Sequence, residues 1–152
     1  MKIVLQRVKE ASVEASGRLE GRIGRGICLL VGVEKGDTEE DAEFLARKAV
    51  ELRIFPDAGG RLNLSLAEVG GEVLAVSQFT LAGSTRKGRR PGFDEAEEPK
   101  RAEELFRHIV DRIRERGFRV ASGVFQAAMD VRLVNEGPVT FILESRRPAV
   151  NR

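Results

Sequence analysis

Lys2 to Val8 (KIVLQRV) sets apolar, largely β-branched residues among polar ones, which predicts a strand. Apolar and polar positions then alternate through SVEASGRLEGRIG on both sides of Ser16-Gly17, which predicts a hairpin. From Gly26 to Val33 the chain is apolar without interruption and bounded by glycines, the pattern of a buried strand. The period then changes. Ala42, Leu45, Ala49 and Leu52 recur at three- and four-residue steps, which predicts a helix within DTEEDAEFLARKAVELRIF. Asp37 is its expected N-cap, with Glu40 three residues on as the partner in a capping box. PDAGGRLN reads as a turn, Asn63 to Val69 is ambiguous, and Glu72 to Gln78 (EVLAVSQ) is a further strand.

Leu81 to Pro99 has no period and is rich in glycine and charge. A loop of that length in a compact domain is usually functional or mobile. Pro99 to Arg116 is a second helix, with Ala102, Leu105, Phe106, Ile109 and Ile113 on its apolar face and Gly117 ending it. Strands follow near Arg119–Ala121, at Ala127–Val134 and at Val139–Leu143, with Gly137-Pro138 as a strand-initiating turn between the last two. No repeat and no linker divides the chain. The pattern predicts one α/β domain over 1–145, with a mixed sheet and two main helices, followed by a basic tail at 146–152. Two helices cover one sheet face; the other face then needs further strands or a second subunit.

Composition narrows the chemistry. The 152 residues make a one-domain length, and 41% hydrophobic with 33% charged residues is a globular balance. Net charge is only +2, so a nucleic-acid partner has to be sought in local clusters. No apolar run reaches membrane-span length and the N-terminus lacks a signal-peptide pattern, so a soluble, cytoplasmic protein without a membrane partner is expected. One cysteine, Cys28 in an apolar run, permits no internal disulfide and reads as a core thiol. One histidine, His108 on the second helix, supplies neither a hydrolase triad nor, with a single cysteine, a zinc or iron site. No phosphate loop is present, and no metal or cofactor is expected. An enzyme made from this chain has to draw on backbone groups, hydroxyls or its own substrate.

Two constellations remain. Ser77-Gln78-Phe79-Thr80-Leu81 lies where an apolar strand runs out into the long loop. Its N–H groups and hydroxyls can hold an ester carbonyl and its developing oxyanion, or can merely satisfy a strand terminus. Ser84 to Gly92 carries Arg86, Lys87, Arg89 and Arg90, four cations in nine residues, followed by the acidic stretch 94–98. It reads as a phosphate-contacting loop or as a solvated loop neutralised by its neighbour.

SQFTL, TRKGRRPGF and NEGPVTFILES, in that order and in so short a chain, closely resemble the D-aminoacyl-tRNA deacylases. MKIVLQRVKEASV, GICLLVGVEKGDTEEDAEFLARKAVELRIF and NLSLAEVGGEVLAVSQFTL extend the likeness from Met1 to about Ser145. The resemblance implies a homodimeric α/β three-layer domain with mixed β-sheets and two main helices. It implies hydrolysis of the ester joining a D-amino acid, or glycine, to the 3′ end of tRNA. Gly137-Pro138 matches the family's cis Gly-Pro pair, which reaches into the other subunit's active site. Ser77, Gln78, Phe79 and Thr80 match the SQxT segment that lines the same pocket. The chain departs from the family at Ala82-Gly83, often an aromatic and an acid, and at Phe125-Gln126-Ala127-Ala128-Met129, commonly FGADM.

An aminoacyl ester is already activated, so positioning water and holding the oxyanion suffice. The resemblance suggests help from the ribose 2′-hydroxyl; Thr80 as a covalent nucleophile is the alternative, without a visible base. Many D side chains have to pass while every L form is refused. A backbone wall sensing only the α-carbon meets that demand, and it would also admit glycine. Two other classes stay open: an RNA-binding module without catalysis, carried by the 86–90 loop and the tail, and a purely structural homodimer.

Overall fold

A computed structural model of the chain describes residues 1–145; the basic tail 146–152 expected from the sequence lies outside them. In chain order the elements are β1 (Lys2–Ala15), β2 (Arg18–Ile23), β3 (Gly26–Gly32), α1 (Glu39–Glu51), β4 (Phe55–Pro56), β5 (Leu62–Leu64), β6 (Glu72–Ser77), a 3-10 turn (Phe79–Ala82), α2 (Pro99–Glu115), β7 (Val120–Ser122) and β8 (Met129–Glu144). Six strands form one mixed sheet in the order β2-β1-β3-β6-β7, with β8 on the other side of β1; β4 and β5 make a small ribbon. β3, β6 and β7 run parallel, and the remaining pairings are antiparallel. The expected α/β class with two main helices and a mixed sheet is what the chain forms. Among the described residues no helix is long and apolar enough to cross a membrane.

β3 and β6 are buried on both faces, and their side chains divide by parity. Ile27, Leu29, Val31, Val73 and Ala75 join the larger core beneath α1 and α2. Cys28, Leu74 and Val76 join a second, smaller core on the opposite face, with Val8, Ala11, Val13 and Ile23. This is why those segments lack alternation in the sequence. β3 and β6 also approach very closely: a Cβ on Gly26 would stand 1.9 Å from the Glu72 carbonyl oxygen, so only glycine fits.

β1 and β8 form a long ribbon that serves both cores in turn. Ile3, Leu5, Val139 and Leu143 face the larger core, whereas Val8, Ala11, Val13, Met129, Val131 and Leu133 face the smaller one. A strand changes faces only by breaking its period-two register. The breaks fall between Gln6 and Val8 and between Val8 and Glu10. Gln6 pairs with Thr140 and Val8 with Asn135, so four residues of β8, Glu136 to Val139, face the single Arg7. Gly137 and Pro138 are therefore extruded to solvent in mid-strand. The sequence led us to expect two strands and a strand-initiating turn. Instead β8 is one strand, because antiparallel pairing to β1 resumes beyond the bulge.

The start of α1 also corrects an expectation. Thr38, not Asp37, is the N-cap, and Asp41, not Glu40, completes the capping box. Asp37 is committed elsewhere: its carboxylate accepts from the Met1 ammonium at 2.7 Å and from the Glu34 N–H at 2.6 Å. Val50 replaces Leu52 on the buried stripe, since Leu52 is already the C-cap. α2 opens on Pro99, where a missing N–H costs nothing, and stops before Gly117 at φ +92°. Replacing Thr38 by Ala is expected to cost about 1 kcal/mol in urea denaturation. Glu40→Ala is expected to stay within about 0.5 kcal/mol of the wild type.

Candidate active site

The segment from Ser77 to Thr80 sits where β6 ends. Gln78 N–H donates to the Val31 carbonyl at 2.7 Å, the last tie to β3, and the chain then turns into the 3-10 helix. The first N–H groups of a helical turn have no partner within it. Among the described residues, the N–H groups of Phe79 and Thr80 have no backbone acceptor. Two unengaged donors beside the Thr80 hydroxyl form a ready seat for an oxyanion. The hydroxyl itself accepts from the Gln78 amide at 2.5 Å. Among the described residues, neither a carboxylate nor a histidine is bonded to it. His108 lies on α2, where it accepts from Arg112 at 3.4 Å.

Beside this turn is a cavity of about 450 Å³, within the range of small-ligand sites. Ser77, Gln78 and Phe79 line one side; Pro99, Ala102 and Phe106 of α2 line another; Phe125, Gln126 and Ala127 form the rim between β7 and β8. The walls are mostly apolar and aromatic. The sequence singled out the first group but not the α2 residues, whose helical stripe reads simply as core. Gln126 stands out in the backbone: its φ is +61° in a turn closed by Ala127 N–H to the Val124 carbonyl at 3.3 Å. A left-handed conformation costs an ordinary residue roughly 1–2 kcal/mol.

The profile of the D-Tyr-tRNA(Tyr) deacylase family matches residues 4–144. The chain belongs to the D-Tyr-tRNA(Tyr) deacylase family. It is thereby an enzyme, a hydrolase of the aminoacyl-tRNA ester bond. It is 59% identical over 146 residues to the D-aminoacyl-tRNA deacylase of Geobacter sulfurreducens, covering 96% of each chain. It is 54% identical to that of Bacillus velezensis, covering 97% of this chain and all of the relative. A solved structure titled c-Myc DNA Unwinding Element Binding Protein superposes with a TM-score of 0.90 at 39% identity, over 97% of this chain and 100% of the other. A probable eukaryotic D-amino acid tRNA deacylase shares the fold, with a TM-score of 0.82 at 19% identity, over 94% of this chain and 98% of the other.

Within this deacylase fold, Gly137 and Pro138 do not line the chain's own cavity. Their peptide bond is cis. The bulge that carries them is held from behind by residues the sequence reading passed over. Arg7, 7% exposed, donates from Nε to the Glu136 carbonyl at 3.0 Å and from its terminal nitrogen to the Ile54 carbonyl at 2.7 Å. Asn135 spans the base of the bulge, donating to the carbonyls of Arg7 at 3.0 Å and Val139 at 3.1 Å. Glu136 Oε2 is buried without a hydrogen bond, and its charge is met by Arg7 at 3.5 Å and Arg25 at 3.8 Å. Nothing in the pattern KIVLQRV marks Arg7 as buried; its strand alternation alone places it on the same side as Ile3 and Leu5.

The long loop is more ordered than its sequence suggests. Ser84 and Gly92 exchange two backbone hydrogen bonds, at 2.8 and 2.9 Å, and close a hairpin. Arg86, Lys87, Arg89 and Arg90 all stand exposed on it. None forms an ion pair with a described residue, so the acidic stretch does not neutralise them by contact. The acidic stretch is instead strapped to the core end of β3: Lys35 N–H donates to the Glu95 carbonyl at 2.8 Å, and Glu97 N–H to the Val33 carbonyl at 3.1 Å. Phe93 packs on Phe79 with ring centroids 5.2 Å apart.

Cys28 is excluded as a nucleophile, because burial in the smaller core pushes its thiol up to about 12. Among the described residues, no group of three or more His, Cys, Asp or Glu is placed to hold a metal ion. For the support beneath the bulge, Arg7→Leu is expected to lose about 1–3 kcal/mol in urea denaturation, because the Ile54 and Glu136 carbonyls lose their donor and the Glu136 carboxylate keeps only Arg25. Adding Glu136→Gln is expected to recover at least about 1 kcal/mol of that loss.

Proposed function

We propose that this chain hydrolyses the ester of D-aminoacyl-tRNA, and of glycyl-tRNA, and refuses L-aminoacyl-tRNA. The observation that carries the reading is the pair of unengaged N–H groups at Phe79 and Thr80 beside an apolar cavity. The ester carbonyl sits against those donors, with Ser77 and Gln78 as flanking polar groups. The substrate has one invariant part, the terminal nucleoside, and one variable part, the amino-acid side chain. A cavity with apolar, aromatic walls suits the invariant part. The variable side chain has to be left without a specific pocket, or the enzyme would serve one amino acid only.

Chirality is then judged at the α-carbon by main-chain atoms of Gly137 and Pro138 from a second copy of the chain. Three features support this. The pair is exposed, it does not line its own cavity, and it is braced by Arg7 and Asn135. The same strand exposes Val134, Phe141 and Ile142, the last at 70%, apolar surface suited to a homodimer. A wall of backbone excludes the L arrangement by clash without regard to side-chain identity. Glycine, with no side chain, meets no clash.

The hydrolytic step needs water and a stabilised oxyanion. Among the described residues Thr80 has no base bonded to it, and its hydroxyl is already engaged by Gln78. The ribose 2′-hydroxyl adjacent to the ester is the better proton partner. Arg86, Lys87, Arg89 and Arg90 contact phosphates of the acceptor end, and a cytoplasmic site of action follows from that substrate.

Incubation with matched D- and L-tyrosyl-tRNA is expected to release tyrosine from the D form alone, with Thr80→Ala keeping most of that activity. Equal hydrolysis of both forms, or of neither, would sink the assignment. Loss of all activity in Thr80→Ala would restore the covalent alternative. Replacing Arg86, Lys87, Arg89 and Arg90 together by Ala is expected to raise KM and flatten its salt dependence by about three to four in log–log slope. An unchanged slope would place the phosphate contacts elsewhere.

A further inference from the structure

Gln126 occupies a position that turn geometry reserves for glycine or asparagine, the third residue of a hydrogen-bonded turn at positive φ. Glycine would hold that backbone without strain. A long carboxamide is held there instead, exposed at the rim of the cavity. Strained non-glycine residues persist where the surroundings fix them, and they cluster at ligand sites. Of the other polar side chains lining the cavity, Ser77 flanks the proposed ester seat, and Gln78 and Glu97 each already make a hydrogen bond. The Gln78 amide donates to Thr80, and a Glu97 carboxylate oxygen accepts from the Glu98 N–H at 2.9 Å. The Gln126 amide makes no hydrogen bond to a described residue.

We infer that Gln126 is a specificity-determining residue that reads the terminal adenine of the tRNA. The inference rests on the proposed seating of the terminal nucleoside in the cavity. The base enters among Phe79, Phe106 and Phe125, and its edge meets Gln126 at the rim. A carboxamide presents one acceptor and one donor side by side. That pair is complementary to the N6 amino group and N7 of adenine. Guanine, with two acceptors on that edge, mismatches it. The backbone strain is thus retained for the sake of the side chain, which a glycine would not provide.

The test pairs Gln126→Gly with a D-tyrosyl-tRNA ending in 7-deazaadenosine, which lacks only the N7 acceptor. Gln126→Gly is expected to melt no lower than the wild type, because strain is relieved. Its KM for the natural substrate is expected to rise about five- to tenfold, with the loss on KM rather than on kcat. The 7-deaza substrate is expected to raise the wild-type KM and to leave that of Gln126→Gly unchanged. A Gln126→Gly variant with wild-type KM, or equal 7-deaza penalties in both proteins, overturns the inference while leaving the deacylase reading intact. Absence of D-tyrosyl-tRNA hydrolysis by the wild type is the separate failure of that reading, and this inference falls with it.

Discussion

A buried guanidinium has to be surrounded by acceptors, and at Arg7 that requirement organises the ribbon of β1 and β8. Its donors are taken by the carbonyls of Ile54 and Glu136, and Asn135 bonds back to the Arg7 carbonyl. These bonds fill the space where ladder hydrogen bonds are missing. Four residues of β8 are thereby held opposite one of β1. The excursion of Gly137 and Pro138 is therefore a fixed feature of the strand, braced at both its ends. The buried Arg7 charge is met by the Glu136 carboxylate, which is the condition for keeping such a cation inside a protein.

The same break in register lets a single pair of strands serve two cores. Before it, β1 contributes Ile3 and Leu5 to the helix-covered core; after it, Ala11 and Val13 enter the smaller one. Without the break, one half of each strand would turn its apolar side to solvent. The bulge is thus required by packing. The cavity lies where the two cores meet, since Val31 belongs to one and Val76 to the other, and both line it.

Much of this was legible in the sequence. Both helices, the first hairpin and the doubly buried β3 and β6 follow from period and composition, because burial on one or two faces leaves a direct imprint on residue order. The Ser77–Thr80 segment was legible as a strand end with hydroxyls. The family likeness, rather than any local pattern, marked Gly137-Pro138 as a working element and its peptide bond as cis. Three things stayed hidden. Asp37 resembles an N-cap locally, but a bond to the chain's first ammonium, 36 residues away, claims it. Arg7 shares the side of Ile3 and Leu5 by strand parity, but its charge argues for exposure, and only pairing with β8 reveals its burial. The order of the 81–99 loop comes from backbone bonds between Ser84 and Gly92 and from Val33 and Lys35, just past β3, to Glu97 and Glu95, which carry no side-chain signature.

The cavity has no wall of its own. β3, β6, α2 and the 125–127 turn each contribute to it, and the same β3, β6 and α2 build the cores. Opening it by local unfolding would therefore mean dismantling the domain, so the site inherits the stability of the whole molecule. The linkage also runs the other way. A ligand bound only to the folded form adds RT ln(1 + [L]/Kd) to folding stability. Free tRNA, which keeps its terminal nucleoside after the ester is cut, would then act at once as competing product and as a stabiliser of the enzyme that released it.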